Sequence, residues 1–228
     1  CFKLIIVSLG YIFIFKLAFF INKPIQFMQF SSILLTEAVD SFSSLPGIGK
    51  KTALRLVLHL LNEDISLTES MAAKLVKMRN EIKQCTQCFN IADDPICQIC
   101  LNPKRDKSLV CVVRSIKDII AIEDTGHYYG VYHVLGNLIS PIDGIGPDDI
   151  RIEELVTRVN TGGVKEIIMA ISPTIEGETT IFYISKKLQD KEVSISTIAR
   201  GVSFGGELEY ADEITLGRSI VSRIKYER

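Results

Sequence analysis

Four cysteines stand at Cys85-x2-Cys88 and Cys97-x2-Cys100, with eight residues between the pairs, in a chain whose other cysteines are Cys1 and Cys111. Each pair can turn two thiolates toward one point, and two facing pairs complete the tetrahedral all-sulfur shell that a structural Zn2+ prefers. Such a shell leaves no open position for water or substrate, so it holds structure and performs no chemistry. The expectation is one structural zinc per chain, rather than a disulfide framework, because the rest of the chain reads as a reduced intracellular protein.

A second set of residues could hold phosphate. Leu45-Pro46-Gly47-Ile48-Gly49 is followed by Lys50, Lys51 and Arg55, and no acid occurs between Asp40 and Glu63. Gly47 and Gly49 carry no side chain, so their N–H groups can come close to a phosphate oxygen. The positive end of the helix that follows points at the same place. Contacts of this kind grip the sugar-phosphate backbone without reading bases, which predicts binding to single- or double-stranded DNA irrespective of sequence. The alternative is a tight interhelical turn used only for packing.

The elements that must position these residues follow from hydrophobic spacing. Ile33, Leu34, Ala38, Val39 and Phe42 recur with helical period over 31–42, and Ala53, Leu54, Leu56, Val57, Leu60 and Leu61 do so from Lys50. The expectation is helix, glycine hairpin, helix, then a third helix over 68–83 capped by Thr68, with the cysteine knuckle directly after it. From Leu109 the pattern changes. Apolar runs at 109–113, 132–135, 166–171 and 194–198 read as strands, and 116–123 and 178–188 read as helices, so a largely parallel sheet is expected. Its ligands would gather at the carboxyl ends of the strands, near Arg114 and 172–174. The fold class is α+β to α/β, multidomain.

Several longer segments resemble one family in the same order: LPGIGKKTA at 45–53, the cysteine knuckle, YHVLGNLISPIDGIGP at 132–147, PTIEGE at 173–178 and ARGVSFGGELEYADEITLGR at 199–218. They resemble the RecR recombination mediators over everything from Met28 onward. The resemblance implies a helix-hairpin-helix DNA-binding domain over 28–83, a four-cysteine zinc finger over 84–106, a Toprim domain over 107–200 and a C-terminal assembly segment over 201–228. It also implies homo-oligomers, a dimer or a ring tetramer, that act with RecO and sometimes RecF in loading RecA onto single-stranded DNA. Lys51 and Arg55 match positions implicated in DNA contact. Glu176 matches an acidic position on the RecO-facing surface.

The same resemblance raises a competing reading, a Mg2+-dependent nuclease, primase or topoisomerase. Toprim enzymes place a glutamate after the first strand and an Asp-x-Asp after a later one, because phosphoryl transfer needs carboxylates to hold the metal. Here Arg114 and Ser172-Pro173-Thr174 stand at those places. A guanidinium cannot ligate a cation, so a non-enzymatic mediator is expected, although many family members keep the glutamate. Asp118, Asp143, Asp148, Glu176 and Glu178 could form an acidic patch or be ordinary solvated carboxylates.

Other features have plainer readings. His59 is expected to be packed or partly exposed, Cys111 to be a buried small hydrophobe, and the glycine loop 143–147 to be a structural turn. His127, Tyr128, Tyr129, Tyr132 and His133 are expected to pack along one strand and its preceding loop rather than stack on bases. The net charge of −1 over 228 residues provides no general attraction for nucleic acid, so binding must come from local clusters. Residues 1–27 are almost continuously apolar between Leu4 and Ile21 and are expected to lie upstream of a natural start at Met28 rather than to anchor a membrane. A cytoplasmic, nucleoid-associated location follows from these expectations.

Overall fold

The computed structural model describes residues 31–199, 201–202, 205 and 207–223. The apolar segment 1–27, Met28 and parts of the tail lie outside the described residues. The chain divides into two compact units at Val76 and Lys77.

In the first unit, α1 (Ile33–Ser43) and α2 (Lys50–Asn62) pack through Val39, Ala53 and Val57, with Leu35, Phe42, Ile48 and Leu54 around them. Ser32 caps α1 by accepting the Leu35 N–H at 3.3 Å. The third helix, α3 (Ile65–Glu81), starts in this unit and ends in the second, and it begins three residues before the expected Thr68. Asp64 explains the early start: its Oδ1 accepts the Ser66 N–H at 2.9 Å and its carbonyl accepts the Leu67 N–H. A carboxylate at a helix N-terminus also meets the positive end of the helix.

The second unit holds the knuckle and the sheet. Strands β1 (Lys83–Gln84) and β2 (Ile91–Ala92) pair antiparallel, and a one-turn helix α4 (Gln98–Leu101) carries the last cysteine. The sheet is parallel with order β4-β3-β5-β6, built from β3 (Asp106–Val113), β4 (Gly130–Val134), β5 (Glu166–Ala170) and β6 (Ser194–Thr197). Helices α5 (Ile116–Asp124), α6 (Ile152–Asn160) and α7 (Ile175–Lys187) make the crossovers, and α8 (Glu213–Val221) follows in the tail. Parallel strands covered on both faces read as continuous apolar runs, which is why β3 ends in Leu-Val-Cys-Val-Val.

Side chains alternate across β3. Val110 and Val112 enter the core built by Ile152 and Leu155 of α6, Ile184 of α7 and Leu188 just after it. Cys111 and Val113 face the opposite way, toward Ile119 of α5, Tyr132, and Phe89 and Ile99 of the knuckle. Phe89 and Ile99 thus bring the knuckle against this face of the sheet. Cys111 is buried as expected, and burial pushes its thiol up to about 12. Helix α6 is absent from the expectations above, although Ile152, Leu155 and Val159 carry helical spacing. Helix α7 begins three residues before the expected Glu178, because Thr174 accepts the Gly177 N–H at 3.1 Å and caps it there.

Among the described residues, no helix is long and apolar enough to cross a membrane.

Candidate nucleic-acid interface and metal centre

The hairpin is a turn closed by the Ile48 N–H on the Leu45 carbonyl at 3.1 Å, with Gly47 at φ +81°. Proline at the second position and a left-handed glycine at the third are what a type II turn requires. Gly49 is the N-cap of α2, with φ −80° and no side chain to bond the first turn. The first turn of α2 therefore takes no bond from a side chain at its N-cap, and its positive end lies beside the turn. Lys51 and Arg55 are exposed and four residues apart, so they share one helix face. Lys50 pairs with Asp40 at 3.3 Å. The five expected residues come together at one helix start, with Lys50 turned toward a carboxylate. His59 is mostly exposed and meets Glu63 at 3.7 Å, in keeping with a surface role.

The four cysteine sulfurs lie within 4.8 Å of one another, and all four side chains are buried. Sulfurs about 2.3 Å from a tetrahedral Zn2+ sit about 3.8 Å apart, so this donor set fits the ion. The Cys88 and Cys97 sulfurs approach to 3.5 Å, and the Cys97 N–H points at the Cys85 sulfur at 3.3 Å. Burial pushes the Cys85 thiol up, but N–H bonds from Cys97, Cys88 and Gln87 outweigh it and bring it down to about 7. Burial leads in pushing Cys97 up to about 11, and the hydrogen bond from Cys100, with burial, raises Cys88 further. Four thiolates cannot crowd together unless a dication compensates them, so metal binding and proton release are coupled here.

The knuckle is fastened to the sheet by contacts between residues far apart in the sequence. The Val134 N–H donates to the Cys88 carbonyl at 2.9 Å, extending the edge of β4 into the knuckle. Phe89, a non-glycine residue at φ +62°, meets the His133 ring edge-on at 5.4 Å, and the Arg151 guanidinium lies 4.8 Å over its face. Arg151 also donates to Gln84 Oε1 at 3.0 Å. On the other side of β4, Arg105 forks onto the Glu123 carboxylate, which also accepts the Tyr132 hydroxyl. The aromatic cluster accordingly divides: Tyr132 and His133 are buried in the strand, Tyr128 bonds the Leu109 and Val131 carbonyls, and Tyr129 is exposed.

At the carboxyl ends of the strands, Arg114 donates to Asn137 Oδ1 at 3.3 Å. Asp118 is the capping partner of Ser115, and Asp143 accepts the Ser140 hydroxyl. These carboxylates therefore have local structural tasks. The glycine loop is closed by a Ser140 to Ile145 bridge and by the Gly146 N–H on Asp149, as a structural turn would be. Glu176 is exposed in the first turn of α7, and backbone and Thr174 hydrogen bonds lead in holding its carboxyl below the usual range, with Arg114 adding to them.

Four family models match the chain in succession: the RecR helix-hairpin-helix at 35–79, the RecR four-cysteine zinc finger domain at 82–102, the Toprim domain at 108–199 and the RecR C-terminal region at 201–224. Curated relatives named Recombination protein RecR include that of Parabacteroides distasonis, 59% identical over 87% of this chain and 95% of its own length. Those of Bacteroides thetaiotaomicron and Flavobacterium johnsoniae are 57% and 55% identical, over 86% and 88% of this chain and 95% and 98% of their own lengths. The chain belongs to the RecR family. The RecR hairpin match spans most of α1 to α3, the zinc-finger match holds all four cysteines, and the Toprim match covers nearly all of the sheet. This RecR-family chain therefore carries a four-cysteine zinc finger with the donor set for one structural zinc.

Proposed function

We propose that this protein is a non-enzymatic, DNA-binding recombination mediator. The observation that supports this most is the start of α2, where a glycine turn with no side-chain cap leads into the helix beside exposed Lys51 and Arg55. Gly47, Gly49, Lys50, Lys51 and Arg55 grip phosphates, and the zinc at Cys85, Cys88, Cys97 and Cys100 keeps the knuckle folded against the sheet. One hairpin offers few cations, so a single chain binds weakly. A dimer or ring tetramer would multiply such contacts through effective concentration. The surface bearing Glu176 docks a RecO-type partner, with RecF taking part in some settings, in the loading of RecA on single strands.

The relatives' name supports recombination, and Arg114 and Thr174 at the strand ends argue against metal-dependent strand chemistry. Pull-down with the RecO-type protein of the same cell, with and without DNA, tests the docking role. Capture that is weakened by Glu176→Lys is expected; absence of capture in both conditions would overturn the mediator reading. Incubation with Mg2+ and supercoiled or primed DNA tests the catalytic alternative, and nicking, relaxation or synthesis that follows the protein through purification would establish it.

A further inference from the structure

A cavity of about 480 Å3 opens between the knuckle and α6, within the second unit. That volume falls within the roughly 300 to 1,000 Å3 of small-ligand sites. Its lining combines two cations from different elements, Lys107 of β3 and Arg158 of α6, with an aromatic and aliphatic wall of Phe89 and Val131, the Thr86 hydroxyl and the Glu154 carboxylate. Arg158 is held in place by donating to the Tyr132 carbonyl at 2.7 Å through one nitrogen, which leaves the rest of its fork to other acceptors. Neither Lys107 nor Arg158 has a carboxylate within 4 Å among the described residues. Phe89 is locked by His133 and Arg151, so it offers a fixed ring surface.

We propose that this cleft binds a nucleoside phosphate, with the phosphate between Lys107 and Arg158, the base against Phe89 and Val131, and a sugar hydroxyl donating to Glu154. Cations suit the phosphate, an apolar ring wall suits a base, and a carboxylate accepts from a hydroxyl where it would repel an anion. The last turn of α6 helps to line the cleft, and its carbonyl end disfavours a bare anion. The base must therefore carry part of the binding. The ligand is either a free nucleotide or one unit of a single strand; the strand case rests on the DNA-binding reading above, and the free nucleotide does not.

The test uses the full zinc-loaded protein, calorimetric titration with dAMP and with inorganic phosphate, and an oligonucleotide carrying 4-thiothymidine for photocrosslinking. Lys107→Gln is expected to weaken dAMP binding about tenfold, the usual scale of one charge-assisted contact, with zinc content unchanged because Lys107 is exposed. A Lys51→Ala, Arg55→Ala hairpin variant is expected to bind dAMP normally, which separates this site from the hairpin. Crosslinks to Thr86 or Phe89 identify a strand unit as the ligand, and dAMP binding without them identifies a free nucleotide. Unchanged dAMP affinity in Lys107→Gln, no dAMP binding by the wild type, or equal affinity for dAMP and inorganic phosphate would each overturn the proposal.

Discussion

Replacing Lys51 and Arg55 by alanine removes the two hairpin cations that face solvent without an ion pair among the described residues. Each phosphate contact to a single strand contributes about 0.7 to the slope of log K against log salt, so the pair contributes about 1.4 per engaged chain. At about 0.1 M salt that slope corresponds to roughly a 25-fold loss of affinity, shrinking toward nothing near 1 M. Lys50 should behave differently, because Asp40 sits 3.3 Å from its ammonium and both groups are half-exposed. Lys50→Ala alone should cost less than Lys51→Ala, and Asp40→Asn, which removes the acid beside the hairpin cations, should raise affinity by up to about fivefold with a slope steeper by up to about 0.7. Fluorescence anisotropy of a labelled oligothymidylate, titrated across about 0.05 to 0.5 M salt, measures slope and affinity together. An unchanged slope in the double variant would remove the hairpin cations from phosphate contact. A fall in affinity at constant slope would point instead to damage in the packing of α2.

Gly49→Ala separates approach from charge: φ is −80° and, among the described residues, nothing beyond the chain neighbours lies within 4 Å of an added Cβ, so the fold should survive with at most the roughly 1 kcal/mol that alanine costs at an N-cap while DNA affinity falls, and unchanged affinity would mean that no backbone contact forms there. Cys97→Ser leaves three thiolates and should cut zinc affinity by more than the roughly 10 to 100-fold typical of outer-shell changes, measured by competition with a chromogenic chelator. Gly177→Ala inverts the usual helix preference, since the new Cβ would run into the Ser172 carbonyl oxygen; a loss of about 1–3 kcal/mol is expected, read as a lower urea midpoint, where an exposed helical site would gain about 1. Burial holds His133 down to about 4 from 6.5, and its Nδ1 is buried without a partner among the described residues. Its stabilising contribution is thus complete above pH 6.5 and lost as the pH falls toward 4, by about 2 kcal/mol at pH 5, from about 1.4 kcal/mol per unit. His133→Phe should flatten that part of the stability profile, and an equal slope in both proteins would refute the assignment.

What could be read from the sequence was local. Two CxxC pairs announce their geometry because the spacing itself turns the thiolates, and Leu45 to Gly49 announces a turn because proline and glycine restrict the backbone wherever they stand. The start of α3 escaped because Asp64 outcompetes Thr68 for the cap, four residues earlier, and both are acceptable capping types. The acidic start of α6 and its nine-residue length left its apolar spacing easy to pass over.

The knuckle's attachment was illegible for a deeper reason. Gln84 and Arg151 are 67 residues apart, and Phe89 meets His133 across another 44, so no local pattern encodes either contact. Gly136 shows how such a contact constrains the chain: it sits at φ +89°, and a Cβ there would lie 2.6 Å from the Arg151 guanidinium. The zinc therefore stabilises more than its own loop. Closing the thiolate shell fixes Phe89 beside Cys88, Phe89 orients Arg151 and His133, and the Val134 N–H ties the same turn to the sheet edge. An Arg151→Ala protein should keep its zinc yet lose the cation over Phe89, so the sheet's stability should respond less to metal removal than in the wild type. Parallel urea titrations of both proteins, with and without chelator, measure that coupling; equal chelator effects would show that the knuckle and the sheet are stabilised independently.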